Sequence, residues 1–360
     1  MTSVIVRTWA ALMVAAGLAG CGGGGPDEPA GRGSGGSGQG ARSVREVARG
    51  LQVPWGVAFL PGGDALVAER TTGRILRVPV AGGRPREVMR LPGADTAAGE
   101  GGLLGLAVSP SYARDGLVYA YYTSATDNRI VRFRLGGPEE PVLTGLERAF
   151  FHDGGRIAFG PDGMLYAGTG DAGDSANAQD RESLNGKILR LRPDGSVPPD
   201  NPFPDSPVWS LGHRNVQGLA WDRAGRLWAT EFGQNAFDEV NLIRPGRNYG
   251  WPEVEGRGDT AGGRYTNPLV TWTTDEASPA GAAIAGGALY VGALRGERLW
   301  RVPLHGDRTG RPEDLLGDRY GRLRTVVTAP DGALWVTTSN RDGRGSPRDG
   351  DDRILRVAPR

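Results

Sequence analysis

Short apolar runs separated by polar turns recur along almost the whole chain, and they share one internal plan. Each unit is an apolar strand, a turn, and a second strand ending in an Arg- or Leu-rich alternation. The copies are ALVAERTTGRILRV (65–78), LVYAYYTSATDNRIVRF (117–133) and MLYAGTGD followed by GKILRL (164–191). They continue as RLWATEFGQNAFDEVNLI (226–243), ALYVGALRGERLWRV (288–302), and ALWVTTSN followed by DDRILRV (333–357). Turns of the Pro-Asp-Gly type precede several of them, as at Pro161-Asp162-Gly163 and Pro330-Asp331-Gly332, where Pro and Gly supply the two backbone conformations a tight turn needs. No long amphipathic helix pattern interrupts the series. Strand-rich repeats of roughly forty to fifty residues predict an all-β, six-bladed β-propeller of four-stranded antiparallel blades. The last copy ends almost at the carboxyl terminus and leaves its blade one strand short. Ser43 to Gly50 (SVREVARG) supplies that strand and closes the ring. A pair of β-sandwiches is the rival architecture, but sandwiches lack matching units.

The start of the chain breaks the pattern. Arg7 is followed by an apolar run, Trp9 to Ala19, and then by Leu18-Ala19-Gly20-Cys21, the arrangement of a secretory signal; the run is too short to span a bilayer. Leu-Ala-Gly-Cys resembles the lipobox of bacterial lipoproteins, in which the cysteine is acylated. Residues 1–20 are therefore read as a lipoprotein-type signal peptide, 21–42 as a Gly/Ser-rich tether, and 43–360 as the propeller. The expected location is periplasmic or at the cell surface, with the membrane reached only through a lipid on Cys21; the alternative is ordinary cleavage beside an idle cysteine. Cys21 is the single cysteine, so no intrachain disulfide forms. A formal net charge of +1 gives no electrostatic case for nucleic acid.

Chemistry concentrates between Val208 and Pro252, where polar groups and aromatics crowd into strand-like segments. Arg214 and Asn215 offer a cation beside an amide, a pair suited to carboxylates or quinone oxygens. The turn from Gly233 to Glu239 is oxygen-rich and suits a hard cation such as calcium. Elsewhere, Glu100 stands alone among glycines, and His152 sits before a strand, where a side chain can face a channel and act as a general base. Its alternative reading is structural. Arg322 and Arg324 alternate on one strand face, and Arg295 lies in the equivalent region of the preceding repeat. Arginines converging on one channel repel one another unless a polyanion sits among them. No serine-hydrolase elbow, phosphate loop, dinucleotide fingerprint or zinc cluster is present.

GEGGLLGLA, HDGGRIAFGPDG, NGKILRLRPDGSVPPDNPF, GHRNVQGLAWD, EFGQNAFDEVNLI and NYGWP occur in this order. Together they resemble the soluble pyrroloquinoline quinone (PQQ)-dependent glucose and aldose sugar dehydrogenases, over about residues 50 to 358. The resemblance implies PQQ and calcium as cofactors. It implies His152 as catalytic base, and Arg214, Asn215, Arg322, Arg324, Glu100 and Arg295 at positions of cofactor contacts. The carbonyls of Gly233 and Gln234 match the turn holding the cofactor calcium, and Glu239 with the Tyr249 carbonyl matches a structural calcium site of the aldose branch. Glu100 stands where the glucose enzymes have a glutamine, an acid in place of an amide, and Gln234 stands where they have proline. The long insertions of those enzymes are missing, which favours the aldose branch. Tyr265 and Trp272 are candidate sugar-stacking residues. The expected reaction is oxidation of an aldose at the anomeric hydroxyl to a lactone, with electrons passing to an external acceptor. The rivals are a non-catalytic, partner-binding propeller and a calcium-dependent lactonase-type propeller.

Overall fold

The computed structural model describes residues 44–97 and 99–360; the signal, the tether, Cys21 and Ser43 lie outside the described residues. The described chain is a six-bladed propeller of antiparallel sheets. Five blades run outward from the axis in chain order, beginning with the inner strands Pro54–Phe59, Leu103–Val108, Arg156–Phe159, Val216–Trp221 and Pro279–Ala285. The last blade begins at Leu323–Thr328, and its outer strand comes from the other end of the chain: Val44–Arg49 pairs antiparallel with Arg353–Val357. This is the ring closure the sequence predicts.

The hydrophobic core is divided into wedges, one between each pair of adjacent blades. Inner strands are buried on both faces and carry near-continuous apolar runs. Their bases show how tightly the blades meet. An ideal Cβ on Gly56 would lie 2.5 Å from Leu104 O of the next blade, and one on Gly218 would lie 2.7 Å from Ala280 O. Gly105 meets Gly155 O, and Gly281 meets Thr325 Cα, in the same way. Only a residue without Cβ lets neighbouring backbones approach this closely. The sixth blade has Thr325 at this level, and its Oγ1 donates to the Trp55 carbonyl, joining the last blade to the first by a side-chain bond.

The register of the inner strand shifts here in every blade except the third, between Pro54 and Val57, Leu103 and Leu106, Val216 and Gly218, Pro279 and Ala282, and Leu323 and Val326. A β-bulge re-aims the side chain beside it. Trp55, Gln217 and Arg324 stand at these bulges and line a cavity at this end of the axis. Ring closure and site construction therefore share one set of residues.

Gly105→Ala places a methyl 2.2 Å from the ideal Cβ position to Gly155 O, against backbone that cannot swing aside. It should lower unfolding stability by about 1–3 kcal/mol or more. Gly62→Ala, with nothing within 4 Å of its Cβ position, should stay within about 0.5 kcal/mol of the parent. Urea unfolding of the two variants checks the contrast.

Candidate active site

The axial cavity has a volume of about 190 Å³ and is lined by Trp55, Arg70, Glu100, Asp153, Gln217, Arg322, Arg324 and Asp342, with Phe150 and Arg344 at its edge. Trp55 lines the cavity, and Arg156 packs against its ring. The Arg156 guanidinium lies 4.2 Å from the Trp55 ring centroid, and that of Arg324 lies 5.9 Å from it. Arg156 Nε donates to Gln217 O at 2.8 Å and Nη2 to Thr325 Oγ1 at 3.1 Å. Arg156 itself lines the channel that opens at the opposite end of the axis.

One carboxylate organises the cations. Asp342 Oδ2 accepts from Arg322 Nε at 2.9 Å and lies 3.7 Å from Arg324 Nη2. Arg70 is 6% exposed; among the described residues its guanidinium donates only to the Asp342 carbonyl, at 3.4 Å, and its Nε has no partner. Burial first, and then the Arg70 cation, push Arg324 down to about 9; burial lowers Arg70 too. Burial by itself would raise Asp342, but Arg324 and Arg322 outweigh it and hold the carboxyl below its usual range. The cavity thus keeps surplus guanidinium groups where they are poorly solvated, beside a flat aromatic ring. A planar polyanion fits that donor set.

His152 stands at the side of this cavity with φ +64°, in the left-handed region that a side chain rarely adopts. Its N–H donates to Glu100 Oε2 at 3.1 Å, and a Cβ on Gly170 would lie 1.9 Å from its carbonyl oxygen. The ring Nδ1 is 2.7 Å from Asp171 Oδ1. Asp171 is itself held by Gly173 N at 2.9 Å and by Trp251 Nε1 at 2.9 Å. Burial alone would raise Asp171, but the bond to His152 and the bonds from Gly173 and Trp251 bring it below its normal range. An ionised Asp171 can only accept, so Nδ1 carries the proton and Nε2 presents a lone pair. That is the tautomer a general base needs.

The other predicted residues divide. Glu100 lines the cavity, and its Oε1 pairs with Arg344 Nη2 at 2.8 Å, so its negative charge is met by an arginine. Arg322 and Arg324 are buried cavity walls. Asn215 is 1% exposed; its Oδ1 accepts from Gly154 N at 3.1 Å, while Nδ2 is buried without a partner among the described residues. Arg214 Nε donates to Gln234 Oε1 at 2.9 Å, with its guanidinium 5.4 Å from the Trp251 ring. Arg295 is not brought to the cavity. It is exposed and paired with Asp275 at 2.5 Å, and its neighbour Leu294 forms the wall instead. Tyr265 and Trp272 are also elsewhere, which corrects their assignment to sugar stacking. Trp272 is buried in the outer strand of the fourth blade with Trp300 stacked at 5.4 Å. Tyr265 is buried under the Arg264 guanidinium, 5.2 Å from its ring. Neither ring has a free face.

Gly233, Glu239 and Tyr249 line a separate void of about 10 Å³ together with Glu231 and Glu255, room for roughly one water-sized occupant. Glu239 Oε1 accepts from Gly256 N at 2.7 Å and Oε2 from Asn241 Nδ2 at 2.9 Å. Burial and then the Glu231 charge push Glu239 well above the normal carboxylate range, and Asn241 Oδ1 is buried with no partner among the described residues. Crowded, under-compensated oxygens suit a hard dication. No cluster of three or more His, Cys, Asp or Glu side chains with metal-site geometry occurs among the described residues, so such a cation would depend on backbone carbonyls as well.

Sequence reasoning missed Trp55, Arg70, Arg156, Asp171, Asp342 and Arg344. Asp171 had a signal, the acidic turn of GTGDAGD in the repeat (164–191) that the His152-Asp153 segment leads into.

A family model described as glucose/sorbosone dehydrogenase matches residues 51–355. The chain is similar to the aldose sugar dehydrogenase of Escherichia coli, at 28% identity over 355 residues, covering 86% of this chain and 91% of that protein. It is similar to the quinoprotein glucose dehydrogenase B of Acinetobacter calcoaceticus, at 35% identity over 256 residues, covering 60% of this chain and 54% of that one. Among solved structures, the PQQ-bound aldose sugar dehydrogenase of Streptomyces coelicolor superimposes with a TM-score of 0.85 at 54% identity, covering 88% of this chain and 98% of that chain.

Asp342 offers a pH test of the cation cluster. Its folded pKa is depressed, so it contributes stability above its unfolded value of about 3.9, and that contribution is lost as pH falls through the folded value. Asp342→Asn should lower stability at pH 7 by about 3–5 kcal/mol, because it leaves buried guanidinium groups without their counter-charge. It should also flatten the acid limb of the stability–pH curve. Chemical denaturation at a series of pH values measures both.

Proposed function

The chain belongs to the glucose/sorbosone dehydrogenase family, and from that premise we propose that it is a PQQ- and calcium-dependent aldose sugar dehydrogenase that oxidises the anomeric hydroxyl to a lactone. The observation that carries the reading is the His152–Asp171 pair, 2.7 Å apart, at the side of an arginine-lined cavity. When bound, PQQ supplies a planar two-electron acceptor bearing carboxylates, and calcium a Lewis acid. Arg70, Arg322 and Arg324 are the residues that would hold those carboxylates. Trp55 is the flat surface beneath, and Asn215 Nδ2 an uncommitted donor. The Gly233–Gln234 turn would hold the cofactor calcium, and Glu239 with the Tyr249 carbonyl a structural one.

His152 takes the anomeric hydroxyl proton on Nε2. Asp171 fixes the ring tautomer beforehand and stabilises the imidazolium that results, as the acid of a catalytic triad does. The backbone N–H bond to Glu100 and the bare Cα of Gly170 fix where the ring can stand. The buried walls exclude water around the cations, which strengthens their interaction with any anion among them. An external electron acceptor completes the cycle. Export with a lipid on Cys21 would put the enzyme in the periplasm or at the cell surface, where free aldoses and a membrane electron chain are both within reach.

His152→Asn should reduce turnover by roughly 10²- to 10⁴-fold, read as single-turnover quinone reduction in PQQ-loaded, folded protein; a rate within a few-fold of the parent would remove His152 from the chemistry. Adding PQQ and calcium to the purified protein should give a spectral change and aldose oxidation, both lost on chelation. Without any spectral or calorimetric response, the cofactor assignment fails.

Cys21→Ser should move the protein from the membrane fraction to the soluble one with its activity kept. A parent protein that is wholly soluble, with no acylated amino terminus by mass spectrometry, contradicts the anchor.

A further inference from the structure

We propose that Phe150 and Phe151 form an aromatic platform for the apolar face of a sugar ring, extending outward from His152 so that a disaccharide rests its second ring on Phe150. The proposal builds on His152 as the base. Among the described residues the exposed large apolar side chains are Phe150, Phe151 and Phe237, with Phe150 73% and Phe151 43% exposed. Scattered apolar residues on a surface need no explanation, but an exposed phenylalanine lining a polar cavity, followed in sequence by a second one against the His152 ring, does.

Each ring is seated on a glycine. A Cβ on Gly99 would lie 2.8 Å from Phe150 Cδ2, and one on Gly173 would lie 2.9 Å from Phe151 Cε2. Both glycines have positive φ, +63° and +78°. Each ring thus packs closely against backbone at a glycine while much of its surface stays exposed. The segment is also tied down. Glu100 N donates to Phe150 O at 3.0 Å, and His152 N donates to Glu100 Oε2 at 3.1 Å. Such a platform loses little freedom when something binds to it.

Position selects the occupant. Phe151 meets the His152 ring edge-on at 4.7 Å, so a molecule resting on Phe151 has its reacting hydroxyl within reach of the base. Phe150 lines the outer edge of the same cavity. A pyranose whose anomeric carbon faces His152 directs its far substituents towards the mouth. Pyranoses combine an apolar C–H face with polar edges, and here an aromatic wall stands opposite charged ones. Tyr265 and Trp272, whose faces are covered, cannot serve this purpose.

The test has two arms. In the first, saturation-transfer NMR uses protein without added cofactor and 1,5-anhydroglucitol or 1,5-anhydromaltitol, analogues lacking the anomeric hydroxyl. Irradiating aromatic protons should saturate the sugar C–H protons, more strongly for the disaccharide, and the effect should disappear in the Phe150→Ala/Phe151→Ala double variant. No transfer in the parent, or equal transfer in the variant, overturns the platform. In the second, the PQQ- and calcium-loaded enzyme is compared on glucose and maltose. Phe150→Ala should lower kcat/KM for maltose relative to glucose by about tenfold. An equal loss on both sugars, or a change confined to the KM of the electron acceptor, overturns the assignment. If the loaded parent oxidises no aldose, the dehydrogenase reading fails and the NMR arm alone decides the platform.

Discussion

Burying several guanidinium groups around one carboxylate is the constraint on which the site depends. Arg322 and Arg324 share Asp342, while Arg70 reaches only its carbonyl. Taking a cation out of water costs several kcal/mol unless another interaction compensates, and one carboxylate does not compensate this set. The fold tolerates the excess because the cations sit on loops and bulges of a ring whose stability comes from apolar wedges between blades. Cost and chemistry are linked here: the same under-compensated field would favour an anion placed among the guanidinium groups.

The ring makes that concentration of charge possible. Backbones approach so closely at Gly56, Gly105, Gly218 and Gly281 that the inner strands cannot be spread, and the bulges beside them turn Trp55, Gln217 and Arg324 to one level. Thr325 occupies the position in the sixth blade and bonds both Arg156 and the first blade. Arg156 stands at the same level in the third blade, so the two residues that break the glycine series are bonded to each other across the axis. A smaller residue in place of Thr325 would remove one of the two hydrogen bonds that hold the Arg156 guanidinium, leaving the bond to Gln217 O and the Trp55 ring.

The blades were legible because strand alternation and turn chemistry are local, and each repeat carries both. The closing strand was legible because a missing strand in the last repeat had to come from somewhere, and Val44–Arg49 was the available segment. The site was legible only in part. His152, Arg322 and Arg324 stand in distinctive local contexts, and a resemblance places them. Arg70 and Asp342 are separated by 272 positions and have unremarked neighbours in sequence. Nothing local marks Arg70, in an arginine-rich chain, as one of those that are buried. Trp272 illustrates the opposite error: an aromatic near polar motifs invites a ligand, but strand alternation in Val270–Thr273 turns it into the wedge against Trp300. Exposure, the property that distinguishes Phe150 and Phe151, is a tertiary fact with no sequence signal.

Glu100 shows how the structure resolves a conflict that the sequence raises. An acid in place of an amide beside an anionic cofactor would be repulsive by itself. Here Oε1 is paired with Arg344 and Oε2 accepts the N–H of His152, so both oxygens are committed to the protein. Acid and arginine together leave the local charge close to that of a neutral amide. They also tie the Gly99–Gly102 loop to the last blade across the cavity mouth, and they brace the left-handed backbone on which the base stands. An amide could keep the bond to His152 through its oxygen, but it would give Arg344 no counter-charge. The carboxylate and Arg344 form one unit, and a change to either should be judged with the other.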